Sequence, residues 1–121
     1  MKVVIDTNFL MIPHQFGIDI YEYLKYFDIA TISLCIDELK KLGKKKTKDG
    51  MSARIALKLA EQKCIEIIKS RETSADRAIL QYALQEKCAV ATNDKELIKA
   101  LKKNNVKIIR LKQNKYLAED E

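Results

Sequence analysis

Five short apolar runs, rich in Val, Ile or Ala, are spaced along the chain. They cover residues 2–5, 30–34, 64–68, 88–91 and 106–111. Short continuous apolar runs bounded by polar segments are typical of strands that are buried on both faces of a sheet. We therefore predict five strands at these positions.

Segments with helical spacing lie between the strand-like runs. Their apolar positions, three or four residues apart, are Ile20, Leu24 and Phe27; Ile36, Leu39 and Leu42; Ile55 and Leu59; Ala75, Ile79, Tyr82 and Ala83; and Leu97, Ile98 and Leu101. Ser74 is a candidate N-cap for the fourth of these helices. Asn93 and Glu96 have the spacing of a capping box that would open the fifth.

Strands that alternate with helices of this length pair in parallel, through right-handed crossovers. The pattern predicts an α/β fold in which helices cover both faces of one sheet, a three-layer α/β/α sandwich. Ligands of such sheets bind at the carboxyl ends of the strands. Functional residues are therefore expected directly after the apolar runs.

The composition is consistent with a single compact domain over residues 1–121. The chain is 47% hydrophobic, which allows a substantial core. No stretch approaches the roughly 18 apolar residues that cross a membrane, and the N-terminus lacks the pattern of a signal peptide. We expect a cytoplasmic protein without a membrane partner. Cys35, Cys64 and Cys88 lie in apolar surroundings, and we interpret them as buried hydrophobic residues rather than disulfide partners or zinc ligands.

The net charge of +6 is concentrated in one segment. Six of the nine residues from 40 to 48 are lysine, namely Lys40, Lys41, Lys44, Lys45, Lys46 and Lys48. A lysine run at a helix end is often only a solvated loop. Lysines also bind nucleic acid by displacing the counterions of the phosphate backbone. Both interpretations stay open at this point, and the second predicts RNA as the partner.

Four acidic residues follow four of the predicted strands. Asp6 directly follows the first strand, and Asp94 follows the fourth after Thr92 and Asn93. Glu38 and Asp76 lie in the first turns of the helices after the second and third strands. Taken singly, each has an ordinary explanation, because acids favour helix N-termini and Glu38 can pair with Lys41.

Taken together, the four acids predict a metal site. The carboxyl ends of parallel strands meet at one edge of a sheet, where four carboxylates would repel one another. Oxygen-only ligands suit Mg²⁺ or Mn²⁺, and such ions can activate water and stabilise phosphoryl transfer. The single histidine, His14, is not required for this chemistry.

The order and spacing of these motifs resemble the PIN domain, a metal-dependent nuclease fold. The resemblance extends over essentially the whole chain, from the DTN of residues 6–8 through DELKKL and ADRAIL to the TND of residues 92–94. It implies a Rossmann-like parallel sheet of five strands in the order 3-2-1-4-5. It also implies that Asp6, Glu38, Asp76 and Asp94 form the catalytic metal site, supported by Asn8 and Thr92.

By the same resemblance, the expected cofactor is one or two Mg²⁺ or Mn²⁺ ions. Arg77 stands where relatives in the rRNA-processing branch often carry a further acid, so the number of ions stays open. The segments FLMIPHQFGIDI and VKIIRLKQNKYL are most similar to archaeal single-domain PIN proteins akin to rRNA-processing nucleases. Homodimers are common among such relatives.

The main hypothesis is a metal-dependent endoribonuclease that acts in RNA processing and has a ribosome-assembly partner. One alternative is a VapC-type toxin with an antitoxin partner, and another is a noncatalytic RNA-binding assembly module. An aspartyl phosphotransferase is a further alternative, but it would need a second acid at position 8, where this chain has Asn8.

Overall fold

In the computed structural model, residues 1–120 are described, and they form a central sheet of six strands. The strands are β1 (Lys2–Ile5), β2 (Asp28–Ile32), β3 (Glu66–Ile68), β4 (Cys88–Ala91), β5 (Lys107–Lys112) and β6 (Tyr116–Asp120). Their order in the sheet is β3-β2-β1-β4-β5-β6. Strands β1 to β5 pair in parallel, which confirms the predicted order 3-2-1-4-5.

The two central strands, β1 and β4, lie at the middle of the core. Ile5 at the end of β1 lies between Thr31 of β2 and Ala91 of β4. Val3, Val4 and Ile5 are completely buried, as a strand covered on both faces requires. Because both faces of these strands are buried, their sequences are continuous apolar runs. This is why the strands could be predicted from the sequence.

Seven helices cover the sheet in the described part of the chain. They are α1 (Thr7–Leu10), α2 (Ile12–Phe16), α3 (Ile20–Tyr23), α4 (Ser33–Gly43), α5 (Lys48–Gln62), α6 (Ala75–Gln85) and α7 (Lys95–Lys103). Helix α1 packs against α4 and helix α2 packs against α5, whereas α6 packs against α7. The predicted α/β class and the helices that flank the sheet are confirmed.

The prediction of five strands was wrong by one, because β6 adds an antiparallel edge to β5. A tight turn at Gln113 and Asn114 reverses the chain, and both residues have left-handed backbone angles, with φ of 55° and 54°. β6 has one clearly apolar buried position, Leu117, among exposed and half-buried residues. A strand at a sheet edge needs so little apolar surface that periodicity does not reveal it.

Two local expectations also need correction. The first predicted helix, from Ile20 to Phe27, is a single turn that ends after Tyr23, although Ile20 and Leu24 are buried as predicted. Cys35 and Cys88 are buried, but Cys64 is exposed in a turn, where its φ is 52°. All three thiols are free. Among the described helices, none has the length and apolarity needed to cross a membrane.

Candidate functional site

The first acid, Asp6, lies directly after the carboxyl end of β1 and is the N-cap of helix α1. Its backbone N–H donates to Ala91 O of β4 over 3.2 Å, which extends the β1–β4 pairing by one residue. Its Oδ1 accepts from the Phe9 N–H at 2.8 Å, the contact of an N-cap. Asp6 is thus held at the junction between sheet and helix by the backbone on both sides.

The environment of Asp6 is costly for a charged group. The residue is 6% exposed, and burial raises the pKa of its carboxyl to about 6. Hydrogen bonds from Thr92 and the Phe9 N–H lower this pKa, and the nearby charges of Asp76 and Asp94 raise it. The fold therefore keeps a carboxylate where its ionised form is poorly solvated.

Thr92, one residue beyond β4, connects two of the acids. Thr92 is fully buried, and its hydroxyl donates to Asp6 Oδ2. The Thr92 hydroxyl oxygen also accepts from the Asp94 N–H at 3.1 Å. The Thr92 N–H donates to Ile109 O of β5 over 3.0 Å. A single side chain therefore contacts both Asp6 and Asp94 and links their positions.

Asp94, and not Asn93, is the N-cap of helix α7, so the capping box predicted for Asn93 and Glu96 was wrong. Asp94 Oδ1 accepts from the N–H groups of Glu96 and Leu97, at 2.9 and 3.0 Å. The Asn93 amide instead donates to Leu111 O over 2.9 Å and accepts from the Leu111 N–H at 2.8 Å. Asn93 thereby ties the loop that carries Asp94 to β5.

Glu38 and Asp76 complete the site from two other helices. Glu38 on α4 accepts a hydrogen bond from the Thr7 hydroxyl at the start of α1. Asp76 lies in the first turn of α6, which Ser74 caps as predicted. Burial raises the pKa of Asp76, and the charges of Asp94 and Glu38 raise it further.

All four predicted acids line one pocket of about 330 Å³ at the carboxyl edge of the sheet. Its lining residues are Asp6, Thr7, Asn8, Glu38, Leu42, Ala75, Asp76 and Asp94. A larger depression of about 520 Å³ lies at the amino ends of β1 and β2, and it includes Lys2 and Glu66, which form an ion pair of 2.6 Å. The acidic pocket is the better candidate for the functional site, because its carboxylates form no such ion pair among the described residues.

Within residues 1–120, none of the four acids lies within salt-bridge distance of a lysine or arginine. Arg77, next to Asp76, lies 3.6 Å from Glu72 instead. Four carboxylates without an internal cation, two of them with a raised pKa, have the chemistry of a hard divalent cation site. The donor set therefore fits Mg²⁺ or Mn²⁺.

The side chains are not arranged as a complete set of metal ligands. Over residues 1–120, no three His, Cys, Asp or Glu side chains converge closely enough to form such a group. Carboxylate oxygens of Asp6, Glu38 and Asp94 accept hydrogen bonds from hydroxyl or backbone N–H groups. The four acids share a pocket, and their joint role as ligands stays a prediction.

The six predicted RNA-binding lysines are exposed around the α4–α5 turn. Lys40 and Lys41 lie in the last turns of α4, and Lys48 opens α5. α4 also carries Glu38 and Leu42 of the acidic pocket, so Lys40 and Lys41 lie on the same helix as these two pocket residues.

Three contacts at the site were not anticipated from the sequence. They are the hydrogen bond from Thr7 to Glu38, the pair of bonds between Asn93 and Leu111, and the bond from the buried Thr31 hydroxyl to Ile5 O at 2.6 Å. Thr7 and Asn93 belong to the DTN and TND motifs. Polar residues directly after buried strands could have indicated that these side chains make hydrogen bonds at the site. Thr31 gave no such signal, because threonine is common in strands.

Comparison with known proteins supports the same assignment. A family profile described as a PIN like domain matches residues 3–114 of the chain. The chain is 37% identical over 123 residues to "Ribonuclease VapC4" of Methanocaldococcus jannaschii, which covers 95% of this chain and 93% of that protein. It is 31% identical over 116 residues to "Ribonuclease VapC9" of Archaeoglobus fulgidus, with 93% and 84% covered.

A eukaryotic relative is equally similar but longer. The chain is 38% identical over 109 residues to "rRNA-processing protein fcf1" of Schizosaccharomyces pombe. The match covers 84% of this chain and 53% of that protein, so this chain corresponds to about half of the relative's length.

Proposed function

This chain belongs to the PIN-like domain family, and on that premise we propose that it is a divalent-metal-dependent endoribonuclease that hydrolyses phosphodiester bonds of RNA. The observation that carries the proposal is the pocket at the carboxyl edge of the sheet, which four carboxylates line without a lysine or arginine of residues 1–120 at salt-bridge distance. The names of the relatives VapC4 and VapC9 support ribonuclease chemistry.

Asp6 and Asp94 are the principal proposed metal ligands, and Glu38 and Asp76 complete the set. Asp6 is mostly ionised near neutral pH, because its raised pKa of about 6 still lies below that pH. The Thr92 hydroxyl holds Asp6 and orients the backbone of Asp94, so the two acids keep a fixed separation. A bound Mg²⁺ or Mn²⁺ would supply a water of lowered pKa and stabilise charge on the phosphate.

Asn8 and the lysines are proposed to act on the substrate side of the pocket. Asn8 is an exposed amide in the pocket lining, where it can hydrogen-bond to a phosphate or sugar without adding charge. The lysines beyond Glu38 on α4 can attract the RNA backbone toward the acids.

The test is cleavage of labelled RNA with Mn²⁺ by the wild-type protein and by Asp6→Asn. We expect the substitution to reduce the rate at least about a hundredfold, because even neighbours of a metal ligand contribute 10- to 100-fold. Thermal unfolding with and without Mn²⁺ gives a second measurement. We expect Mn²⁺ to stabilise the wild-type protein and not the variant.

Asp19→Asn is a matched control for this experiment. Asp19 caps α3 by accepting from the N–H groups of Tyr21 and Glu22, much as Asp6 caps α1, but it lies outside the acidic pocket. Asparagine also caps helices well, so both variants keep their helix start. Cleavage that persists in Asp6→Asn at the rate of Asp19→Asn would contradict the proposed role of Asp6.

We propose rRNA or other RNA processing as the biological role, with a ribosome-assembly protein as partner. The alternative is a toxin with an antitoxin partner, which the similarity to VapC4 over nearly the full length of both chains favours. Expression of the chain alone distinguishes them: growth arrest that Asp6→Asn abolishes supports the toxin, and normal growth supports processing. If the chain is a noncatalytic RNA-binding module, it should bind RNA without cleaving it in the presence of either Mg²⁺ or Mn²⁺.

A further inference from the structure

The α4–α5 turn, which carries the lysine run, is fixed by an unusual set of contacts. Arg54 of α5 reaches back and donates from one guanidinium nitrogen to Gly43 O at 2.7 Å and to Lys45 O at 3.1 Å. Thr47 caps α5 by accepting from the Gly50 N–H at 3.0 Å. The turn is therefore held from inside, by groups that leave the lysine side chains free.

Two glycines allow the backbone to pack this tightly. A Cβ on Gly50 would lie 2.0 Å from Lys45 O, and a Cβ on Gly43 would lie 3.2 Å from Arg54 Cγ. The first distance is far below contact distance and involves a backbone oxygen that cannot move alone. Gly50 is thus required by the close approach of the turn to α5.

This packing concentrates positive charge. Arg54 lies among the lysines, and over residues 1–120 no carboxylate is within salt-bridge distance of Arg54 or of any of the six lysines. Lysines at the C-terminus of α4 complement its dipole, but Lys48 in the first turn of α5 does not. Helix stability alone therefore does not explain why the turn is closely packed and densely charged.

The position of the turn relative to the acids suits a phosphate chain. Glu38 and Leu42 of α4 line the acidic pocket, and Lys44 is six positions after Glu38, directly beyond the end of α4 at Gly43. At about 1.5 Å per helical residue this is about 9 Å along the helix, a distance that a short stretch of RNA can cover.

We propose that the α4–α5 turn is a preorganised binding element for the RNA backbone a few nucleotides from the cleaved bond, and that Arg54 and Gly50 are positioning residues that shape it. The proposal rests on RNA being the substrate. Preorganisation removes the cost of ordering several flexible lysines when RNA binds. Arg54 acts through the turn, since its guanidinium is already engaged by two carbonyl groups.

Binding of a labelled single-stranded RNA in EDTA, measured over a range of salt concentrations, tests the surface without any cleavage. For Lys44→Gln with Lys46→Gln we expect weaker binding and a salt slope reduced by about 1.4, since each neutralised phosphate of a single strand contributes about 0.7. The matched control is Lys87→Gln with Lys103→Gln, two exposed lysines outside the turn. Equal affinities of the two double variants would overturn the proposal.

Arg54→Lys and Gly50→Ala test the positioning role, because both keep every charge of the protein. We expect about three- to tenfold weaker RNA binding with an unchanged salt slope, and faster amide exchange over residues 44–46. Retained stabilisation by Mn²⁺ would show that the acidic pocket is intact. RNA affinity at the wild-type level in both variants would overturn the role of the two residues.

The results distinguish a failure of this proposal from a failure of the nuclease proposal. RNA binding that depends on the turn, without cleavage in Mn²⁺, would remove the nuclease and keep this element. Cleavage that requires Asp6 but is indifferent to Lys44 and Lys46 would keep the nuclease and remove this element.

Discussion

Asp6 and Asp120 are two little-exposed aspartates at strand ends of the same sheet, and their environments have opposite effects. Asp120 of β6 lies 3.1 Å from Arg110 and 3.2 Å from Lys102, and these hydrogen-bonded cations lower the pKa of its carboxyl. Asp6 has a hydroxyl and a backbone N–H as partners and two further acids nearby, and its pKa rises to about 6.

The difference separates an acid that is paired with cations inside the fold from one that is not. The β5–β6 hairpin supplies cations for its acids, including Lys107, which lies 3.4 Å from Glu119. Within residues 1–120, the acidic pocket supplies no cation to Asp6, whose carboxyl is hydrogen-bonded by the Thr92 hydroxyl and the Phe9 N–H. A buried carboxylate with a raised pKa and no paired cation is a candidate ligand for a cation from outside the chain, which is why we propose the metal site at Asp6 and not at Asp120.

The largest effect is expected from giving the acidic pocket a cation of its own. Asn8→Lys would place an ammonium group in the pocket lining, beside Asp6, and make this region resemble the hairpin. We expect the pKa of Asp6 to fall, the metal-free protein to become more stable, and cleavage to decrease at least about a hundredfold because the lysine competes with the metal.

The measurements are RNA cleavage in Mn²⁺ and thermal unfolding in EDTA, with Asn8→Gln as the control of similar size without charge. Loss of activity in both variants would assign the effect to the longer side chain at position 8 and not to its charge. An Asn8→Lys variant that cleaves RNA at the wild-type rate would contradict the idea that the pocket must lack an internal cation.

The next largest effect is expected from Thr92→Val, which removes one hydroxyl and keeps the side-chain shape. Asp6 loses a hydrogen bond that favours its charged form, and the Asp94 N–H loses its acceptor. We expect about 10- to 100-fold weaker metal binding or activity, and a loss of about 1–3 kcal/mol in the free energy of unfolding.

Thr31→Val is the matched control, because Thr31 is also completely buried and its hydroxyl donates to a backbone carbonyl, Ile5 O. Its loss should reduce the free energy of unfolding to a similar extent without the same loss of metal binding. Metal titration followed by unfolding, together with urea denaturation, separates the two variants. Equal losses of metal affinity would assign the effect of Thr92 to packing.

The sequence predicted the parts of this comparison that depend on burial. Apolar runs predicted β1 to β5, and polar residues directly after them predicted which acids share an edge, because parallel topology brings strand ends together. The hairpin was missed, since β6 buries so little apolar surface that its pattern resembles a loop.

Side-chain hydrogen bonds at the site were less predictable. Asn93 and Asp94 are adjacent, and both are good N-cap residues, so the sequence does not decide which of them caps α7. The choice depends on Leu111, whose backbone pairs with the Asn93 amide and leaves Asp94 at the helix start. Such long-range partners become known only when β5 is in place.

The pH dependence of stability gives a smaller effect with opposite signs in the two regions. The pKa of Asp6 rises from 3.8 to about 6 on folding, so the metal-free native state binds its proton more tightly than the unfolded chain. The free energy of unfolding should therefore fall as the pH rises from about 4 to about 6. The shift corresponds to at most about 3 kcal/mol, and we expect on the order of 1 because the pocket is open to water.

Urea denaturation in EDTA at several pH values measures this slope. Asp6→Asn should flatten it and make the metal-free protein more stable near neutral pH, while Asp76, whose pKa is also raised, leaves a remainder of the same sign. Asp19→Asn should keep the wild-type slope. A slope that Asp6→Asn does not change would mean that Asp6 is solvated despite its burial.

The smallest effect is expected from Asp120→Asn, which removes the compensated acid. Its lowered pKa means that its ion pairs stabilise the protein above the ordinary pKa of aspartate and are lost as the pH falls through the lowered value, the reverse of Asp6. Lys102 and Arg110 remain partly exposed, so the loss of stability should be small and should shrink further at about 0.5 M salt. Cleavage and Mn²⁺ binding should stay at the wild-type level, because Asp120 is paired with Arg110 and Lys102 and lies outside the acidic pocket. Asp120→Asn could instead weaken Mn²⁺ binding as strongly as Thr92→Val. That result would mean that pairing with lysine and arginine does not distinguish a structural aspartate from a metal ligand in this protein.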